Sequence, residues 1–324
     1  MAVQRQKIII EGIVQGVGFR PFIYQLAQRF GLAGSVCNDT RGVTIEVEGE
    51  DALLAQFVAA IRSEKPPLAV IQSVATQTIP VQGALGFNIL QSSKDATRRA
   101  QIAPDTFVCD DCLQELFAPN DRRFRYAFIN CTNCGPRYTI VTGIPYDRPL
   151  TTMVDFPLCD DCQSEYDDPT SRRFHAQPNA CPACGPQLRM LDADGKVLVT
   201  DDPVSETIGR LKAGQIVAIK GLGGYHLAVD ASNQSAVLEL RRRKQRDEKP
   251  FALMARDLTV VRRMATVSAD EARLLQGVER PIVLLEKRAD HALAENVAPD
   301  NRYFGDMLPC TPLHHLLLQN DFKA

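Results

Sequence analysis

The sequence predicts a multidomain α+β protein with a small β-α-β-β-α-β domain, two tandem cysteine-rich modules and a C-terminal α/β domain. Three observations lead to this division. Apolar residues follow strand and helix periods in that order up to residue 91, eight cysteines form C-x2-C pairs within a repeated segment, and strands alternate with helices again from residue 188. We therefore expect domains at residues 1–91, 105–187 and 198–324.

The first domain shows the alternation of a ferredoxin-like fold. Helical spacing places the apolar residues of 21–30 and 51–63 on single stripes, and a turn at 39–42 separates two short strands. The polar stretch Ser92–Arg99 that follows is typical of a linker. The expected strands are Lys7–Val14, Gly34–Asn38, Val43–Glu48, Val70–Ile79 and Phe87–Leu90, and the expected helices are Pro21–Phe30 and Asp51–Ser63.

Composition excludes several classes of protein. The 324 residues carry a formal net charge of −2, which disfavours bulk electrostatic binding to nucleic acid. No apolar run approaches the roughly 20 residues of a membrane span, and the N-terminus MAVQRQKIIIEG lacks a secretory signal. We expect a cytoplasmic protein with no membrane contact. The sequence shows no closing element before Ala324, which predicts a truncated chain.

Eight of the ten cysteines lie in four C-x2-C pairs, which indicates metal binding rather than disulfides in a chain with no leader. Two thiolates at this spacing grip one ion from a tight turn, and two such knuckles complete a closed, structural tetrahedral zinc site. Zinc would offset the missing apolar core of so small a unit. We expect two zinc ions, held by Cys109, Cys112, Cys131, Cys134, Cys159, Cys162, Cys181 and Cys184.

The cysteine-rich segment contains an internal repeat with a period of 50 residues. Residues 109–136 align without gaps to residues 159–186, and 13 of 28 positions are identical, which indicates duplication of one module. Pairing of the knuckles within each repeat is the simplest arrangement, and crossed pairing is also compatible with the spacing. We expect His175 to make a structural hydrogen bond, with contact to the metal or to the functional site as the alternative.

Zinc modules also occur in nucleic-acid-binding proteins, and five arginines of the repeats could serve that role. Six aspartates in the same segments mix the charge and disfavour it. The arginines are Arg122, Arg123, Arg125, Arg172 and Arg173, and the aspartates are Asp110, Asp111, Asp160, Asp161, Asp167 and Asp168.

Residues 12–20, GIVQGVGFR, join the first strand to the first helix. Glycines in this loop let backbone N–H groups converge on one point, and the helix N-terminus adds a positive dipole end, so the segment predicts an anion-binding nest. Arg20 can bind two phosphate oxygens, and Asn38 on the next strand can hold an attacking water. The expected phosphate-binding residues are Gln15, Gly16, Val17, Gly18, Phe19 and Arg20.

Residues 8–20 and 34–49 resemble the acylphosphatases, whose GxVQGVGFR loop binds phosphate. The second segment departs from the family pattern at Ser35 and Thr44. The resemblance implies in-line attack of water on an acyl phosphate, with charge stabilised by the loop amides. It implies that the catalytic pair is Arg20 and Asn38.

The third segment alternates helices and strands. Ile216–Lys220 is apolar enough to predict a buried strand, and the glycine turn Gly221–Gly224 follows it. We expect one long helix at Leu258–Gln276. The remaining helices expected are Val204–Ala213 and Ser235–Arg243, and the remaining strands are Tyr225–Val229, Phe251–Ala255 and Pro281–Leu285.

A basic cluster at 240–249 leads into a strand near the glycine turn. Such a cluster is often a solvated helix face, but at a strand mouth it predicts a triphosphate site. The segment resembles the YrdC-like nucleotide-binding domain, including LPCTPLHH at 308–315, with departures at Asp306 and Cys310. We expect ATP with Mg at Lys220, Lys244, Arg246, Lys249, His314 and His315.

The order acylphosphatase, double four-cysteine module and incomplete YrdC-like domain resembles the hydrogenase maturation carbamoyltransferases, over all but 319–324. The resemblance implies that carbamoyl phosphate is hydrolysed in the first domain and that the carbamate passes internally to the YrdC-like domain, where ATP converts it to carbamoyl-adenylate. Excluding water would protect the unstable carbamate. A further domain, absent here, would transfer the carbamoyl group to the C-terminal cysteine of the partner protein HypE, as the source of the cyanide ligands of [NiFe] hydrogenase.

Two alternatives remain open at this point. One is a zinc-dependent nucleic-acid-binding protein with an inert acylphosphatase-like domain, which salt-sensitive binding to RNA or DNA without phosphatase activity would favour. The other is a structural fragment whose incomplete nucleotide domain no longer works, which the absence of ATP binding in calorimetry would favour.

Overall fold

A computed structural model describes residues 3–92, 100–319 and Phe322. The chain forms two compact units, Met1–Asp105 with Ile129–Pro186, and Thr106–Phe128 with Gln187–Ala324. Of the expected linker Ser92–Arg99, residues 93–99 lie outside the described residues. Within the described ranges, none of the helices has the length and apolar character that crossing a membrane requires.

A five-stranded sheet in the order β4-β1-β3-β2-β5 forms the N-terminal part of the first unit. β1 pairs antiparallel with β3 and β4, β2 pairs antiparallel with β3, and the short β5 runs parallel to β2 at the edge. This arrangement confirms the ferredoxin-like fold. The elements are β1 Val3–Ile13, α1 Phe19–Arg29, β2 Ala33–Asn38, β3 Gly42–Glu50, α2 Asp51–Ser63, β4 Val70–Ile79 and β5 Phe87–Ile89.

The core of this part lies between the sheet and its two helices. Alternate residues of β1, such as Ile8 and Ile10, are fully buried, and they belong to one apolar cluster with Ile23 of α1 and Phe57 of α2. Burying side chains of this size stabilises the fold by about 1.5–3 kcal/mol each. The end of β1 and the start of α1 are therefore anchored, and the loop between them is held at both ends.

The two cysteine-rich modules contain equivalent short helices, α3 Asp110–Phe117 and α4 Asp160–Asp167. Each begins directly after the first cysteine of its repeat, with two aspartates in its first turn, where acidic side chains favour the positive end of the helix dipole. Short 3₁₀ turns at Tyr138–Ile140, Arg148–Leu150 and Thr152–Asp155 occupy the connection between the repeats.

The rest of the second unit has its own sheet and its own core. The sheet has the order β10-β13-β12-β11, with β10 and β13 parallel and the other pairs antiparallel, and two short ribbons pair β6 with β7 and β8 with β9. The elements are β6 Met190–Leu191, β7 Val197–Leu198, α5 Pro203–Lys212, β8 Val217–Lys220, β9 Tyr225–Ala228, α6 Gln234–Lys244, β10 Ala252–Met254, α7 Leu258–Met264, β11 Ala265–Thr266, α8 Ala269–Gln276, β12 Val283–Lys287, β13 Tyr303–Met307 and α9 Pro312–Leu318.

Two expectations for this unit are wrong. The single helix at Leu258–Gln276 is broken: α7 ends at Met264, and α8 starts anew with a capping box in which Ser268 and Glu271 exchange hydrogen bonds. The strand at Ile216–Lys220 is not buried, because β8 pairs only with β9 in a two-stranded ribbon and its side chains are half-buried or exposed in the part of the chain that the structure describes.

Candidate functional site

The phosphate loop links β1 to α1 through two residues in the left-handed region. Gly16 has φ 76° and Gly18 has φ 73°, conformations that glycine adopts without steric cost. Gly18 is the N-cap of α1 and no side chain caps the helix, so the first-turn N–H groups and the positive end of the dipole face the loop. The local backbone has the form of an anion nest.

Two polar side chains reach the same point from neighbouring elements. Arg20 is 8% exposed and Asn38 is 2% exposed. The backbone carbonyl of Tyr146 accepts from Arg20 Nη2 at 3.5 Å and from Asn38 Nδ2 at 3.4 Å. Asn38 Oδ1 is buried without a hydrogen-bond partner within the described ranges. A buried amide oxygen left free in this way can accept from a bound water or ligand.

These side chains line a cavity of about 20 Å³, which has room for about one water molecule. We call it the phosphate cavity after its predicted ligand. Of the expected phosphate-binding residues, all but Val17 line it, and Val17 packs in the apolar core instead. The predicted residues in its wall are Gln15, Gly16, Gly18, Phe19, Arg20 and Asn38, and His175, for which contact with the site was the alternative, also lines it. The principal lining residues that the sequence did not indicate are Thr132, Arg137, Tyr146 and Gln177.

The Gln15 side chain braces the loop. Its amide nitrogen donates to the carbonyls of Asp39 at 2.8 Å and Gly42 at 2.7 Å, and its oxygen accepts from the Tyr146 N–H at 2.8 Å. Both amide hydrogens are therefore committed, and only the backbone of Gln15 is available to an anion.

Arg137 connects the first repeat to the phosphate loop. Its guanidinium is 2% exposed and donates to the carbonyls of Gly16, Cys131 (2.8 Å), Thr132 (2.9 Å) and Cys134 (3.1 Å). Five donors in a rigid fork suit this task, since several carbonyls must be satisfied at once. The sequence signal was an arginine directly after the CGP of the knuckle, where the second repeat has Gln187.

His175 lines the phosphate cavity and belongs to neither cysteine cluster. Burial, together with the nearby positive charge of Arg20, lowers its pKa to about 4. Its backbone is left-handed at φ 52°, as is that of Arg125, the equivalent residue of the first repeat, at φ 56°. The duplication has thus kept the turn and changed the side chain.

The eight C-x2-C cysteines form two groups, each made of one repeat: Cys109, Cys112, Cys131 and Cys134, and Cys159, Cys162, Cys181 and Cys184. The four sulfurs of each group lie within 4.8 Å of one another. The simpler pairing is therefore the one that the structure shows.

The donor set fits a tetrahedral thiolate-bound metal. Neighbouring Sγ atoms are 3.7 Å apart for Cys131 and Cys134, and 3.6 Å apart for Cys162 and Cys184. A tetrahedron with metal–sulfur bonds of 2.3 Å has an edge of about 3.8 Å, whereas a disulfide needs about 2.05 Å. A backbone hydrogen bond from Cys162 lowers the pKa of Cys159 to about 7, with help from the neighbouring thiols, and this favours the thiolate that binds metal.

A second cavity, of about 450 Å³, lies in the second unit. Its size is typical of sites for drug-sized ligands. Lys244, Arg246 and His314 of the expected nucleotide-binding residues line it, together with the aromatic side chains Tyr225 and Phe251. Lys220, Lys249 and His315 are not among its lining residues, although Lys220 Nζ stands 5.6 Å from the centre of the Tyr225 ring.

Arg241 shapes the loop that carries the basic cluster. It is buried, and its guanidinium donates to the carbonyls of Arg246 at 2.7 Å, Asp247 at 3.1 Å and Val297 at 3.1 Å. It also stacks 4.6 Å from the centre of the Phe251 ring. Sequence reasoning treated this run of charges as one cluster and did not separate its internal member from the exposed ones.

Comparison with known proteins identifies the parts in order. Residues 6–89 match the acylphosphatase family model, residues 108–141 and 158–191 match the HypF finger, and residues 210–323 match the Sua5/YciO/YrdC model, described as telomere recombination. The chain is 55% identical to carbamoyltransferase HypF2 of Cupriavidus necator over 97% of its length and 39% of that protein, and 50% identical to carbamoyltransferase HypF of a Synechocystis strain over 96% of its length and 41% of that protein. The chain belongs to the HypF family.

Solved HypF structures agree with this membership. The chain is similar to a full-length HypF in a phosphate- and nucleotide-bound form, with a TM-score of 0.94 and 47% identity over 99% of this chain and 42% of the other. The chain thus spans about two fifths of the length of the curated HypF relatives it matches. Each HypF finger match contains one four-cysteine group, which ties the duplication seen in the sequence to a known module.

Proposed function

We propose that this chain hydrolyses carbamoyl phosphate at the cavity lined by Arg20 and Asn38 and uses ATP in its second unit to form carbamoyl-adenylate. In the full-length family, we propose, the carbamoyl group is transferred to the C-terminal cysteine of HypE for the cyanide ligands of [NiFe] hydrogenase. The observation that carries the first step is the convergence of Arg20, Asn38 and an anion nest in one buried pocket. A cytoplasmic location and two structural zinc ions belong to the same proposal.

The geometry supports a division of roles at the first step. The loop amides and Arg20 hold the phosphoryl oxygens and offset the negative charge that grows on them. The free amide oxygen of Asn38 accepts a hydrogen bond from the water that attacks in line with the leaving carbamate. Because a cavity of about 20 Å³ is smaller than an acyl phosphate, binding requires its lining side chains to rearrange.

The proposed metal is zinc, held by the two four-cysteine groups. Closed four-thiolate sites leave no open position for a substrate, so zinc would act as a structural clasp and supply no step of the reaction. By holding the cysteine modules in a fixed conformation, the zinc ions would keep Arg137 and His175 in place near the phosphate loop.

The second unit supplies the proposed ATP site. Cationic Lys244 and Arg246 in the 450 Å³ cavity suit the phosphates, and the rings of Tyr225 and Phe251 suit a base. The relative solved in a nucleotide-bound form supports this proposal. We place ATP with Mg here and retain Lys220, Lys249 and His315 as predicted contacts of the nucleotide.

The nucleic-acid alternative has no specific observation in its favour. Arg123 is 1% exposed and Arg173 is 5% exposed, and Arg125 pairs with Asp202 at 2.7 Å. Arginines that are buried or paired in this way do not present a basic surface to phosphates.

The experiment is phosphate release from carbamoyl phosphate by the wild type and by Arg20→Ala. Removing a charge-stabilising donor from a buried site lowers turnover by roughly 10²–10³-fold. Arg29→Ala is the matched control, because Arg29 lies on the same helix but is exposed and paired with Glu64. Equal turnover in Arg20→Ala and wild type would contradict the assignment of this pocket.

A further inference from the structure

Arg20 has one ion-pair partner among the described residues, the carboxylate of Asp147. Arg20 Nη2 and Asp147 Oδ1 are 2.8 Å apart, and the Arg20 side chain is 9% exposed. Asp147 lies 127 residues further along the chain, between the two cysteine repeats, and sequence reasoning gave this stretch no role. A buried guanidinium needs partners that replace its lost hydration, and for Arg20 a distant segment of the chain supplies a counter-charge.

The two residues that flank Asp147 are tied down separately. The Tyr146 N–H donates to Gln15 in the phosphate loop at 2.8 Å. The Arg148 N–H donates to the Gln177 side chain at 2.7 Å, and the Arg148 guanidinium donates to the carbonyls of Gln177 at 2.7 Å and Asn179 at 2.8 Å. The three-residue arch 146–148 is therefore fixed at both ends, and its middle side chain is presented to Arg20.

Within the part of the chain that the structure describes, the Asp147 carboxylate has no hydrogen-bond or ion-pair partner other than Arg20. Asp147 is the N-cap of the turn Arg148–Leu150, but its side chain makes no capping hydrogen bond there. It is also absent from the lining of the phosphate cavity, which Arg20 does line. The direct contact of Asp147 with the lining of this cavity is therefore its ion pair with Arg20.

We propose that Asp147 is a positioning residue for Arg20 and that the arch 146–148 is a required part of the acylphosphatase site. This proposal rests on the proposed hydrolysis at the same pocket. The carboxylate holds one Nη atom and thereby orients the remaining donors of the fork. It also offsets part of the positive charge, which limits how tightly the product phosphate is held.

Replacing Asp147 should separate turnover from phosphate affinity. In Asp147→Asn the guanidinium is less firmly oriented, so we expect kcat for carbamoyl phosphate to fall about 10- to 100-fold, as small misplacements of reacting groups do. The pocket gains net positive charge, so the inhibition constant of inorganic phosphate should stay equal or decrease. Asp155→Asn is the control, since this substitution makes the same charge change at an exposed position eight residues away.

The opposite patterns would overturn the proposal. An unchanged kcat would show that Arg20 needs no positioning, and a tenfold weaker inhibition by phosphate together with a lower kcat would show that Asp147 is merely structural. If the wild type releases no phosphate from carbamoyl phosphate, the proposed function fails, and the affinity for inorganic phosphate then still tests the charge argument.

Chemical rescue gives a second measurement that does not depend on how Asp147→Asn folds. In Arg20→Ala, added guanidinium ion at millimolar concentration can occupy the vacated place beside the Asp147 carboxylate. We expect guanidinium ion to raise the rate of phosphate release by Arg20→Ala at least tenfold. It should not raise the rate of the double variant Arg20→Ala, Asp147→Ala. Equal rescue in both proteins would overturn the proposal.

Discussion

Single residues in this protein show how burial decides what a polar side chain can do. Arg20, Arg137 and Arg241 are all buried, but their partners differ: Arg20 pairs with a carboxylate, whereas the other two guanidinium groups donate to backbone carbonyls. A sequence shows three arginines of equal charge. Only the fold distinguishes the one that is held by a counter-charge from the two whose hydrogen bonds fix loops.

Asp306 is the residue whose environment conflicts most with its chemistry. It lies in β13 and is 0% exposed, both carboxylate oxygens are without hydrogen-bond partners within the described ranges, and burial raises its pKa to about 7. The folded state therefore holds a proton that the unfolded state has lost between pH 3.8 and 7, so this residue makes folding less favourable as pH rises through that window.

Asp306→Asn tests this titration. The amide cannot ionise, so the variant should lack the part of the stability loss between pH 4 and pH 7 that belongs to Asp306, which corresponds to about 4 kcal/mol for a shift of about three pKa units. The measurement is the urea midpoint at pH 5, 6, 7 and 8 for variant and wild type. Parallel curves for the two proteins would mean that Asp306 finds a partner or an ionised state that the structure does not show.

At the scale of elements, sequence periodicity predicted most of the N-terminal domain and less of the second unit. The apolar stripes of α1 and α2 and the alternation in β1 and β3 are strong, since each buries one face against the same core. Helix α4 was missed because its eight residues carry no apolar stripe: only Cys162 is buried. The helix begins directly after Cys159 of the knuckle, and a helical pattern does not record that constraint.

Local sequence also predicted only part of the site around the phosphate loop. Local sequence predicted its glycines, Arg20 and Asn38, because the contacts that shape the nest are close in the chain. The other wall, including Tyr146 and His175, comes from more than 100 residues away, and no local pattern relates it to the loop. Long-range pairing of that kind needs the fold.

Replacing Gly135 tests whether the backbone turn in the second knuckle of the first repeat is needed for metal binding. It has φ 96°, and an added Cβ would lie 2.7 Å from the Cβ of Asn130, so Gly135→Ala adds a steric clash to the cost of about 1–2 kcal/mol for a left-handed residue. We expect the second knuckle to be distorted and the bound zinc to fall from two ions per chain towards one. Metal analysis after gel filtration measures this.

Gly195→Ala is the matched control for Gly135→Ala. Gly195 has φ 82°, but a Cβ there would meet nothing within 4 Å. The control therefore carries the backbone strain without the clash, and it should keep both zinc ions. If Gly135→Ala retains two ions as well, the knuckle tolerates the clash and the glycine is not needed for metal binding.

For the molecule as a whole, the phosphate cavity and the cysteine group of the second repeat, Cys159 to Cys184, belong to the same compact unit. A chain of contacts joins them. The carbonyl of Cys162 accepts from Asn179 Nδ2 at 3.0 Å, the carbonyl of Asn179 accepts from Arg148 at 2.8 Å, and Arg148 follows the aspartate that pairs with Arg20. Loss of metal at this group should therefore loosen the arch 146–148, although the ferredoxin-like sheet has a core of its own.

Cys162→Ser tests this dependence. Removing one of four thiolates should release one zinc ion per chain and lower phosphate release from carbamoyl phosphate at least tenfold, while the strand signal in far-ultraviolet circular dichroism persists because the N-terminal sheet does not need the metal. Cys310→Ser is the control, since Cys310 belongs to neither group and lies in the other unit. The contradicting outcome is full phosphatase activity in a Cys162→Ser protein shown to hold a single zinc. The metal would then stabilise the module without affecting the phosphate cavity, and the contacts through Asn179 and Arg148 would not be needed for hydrolysis.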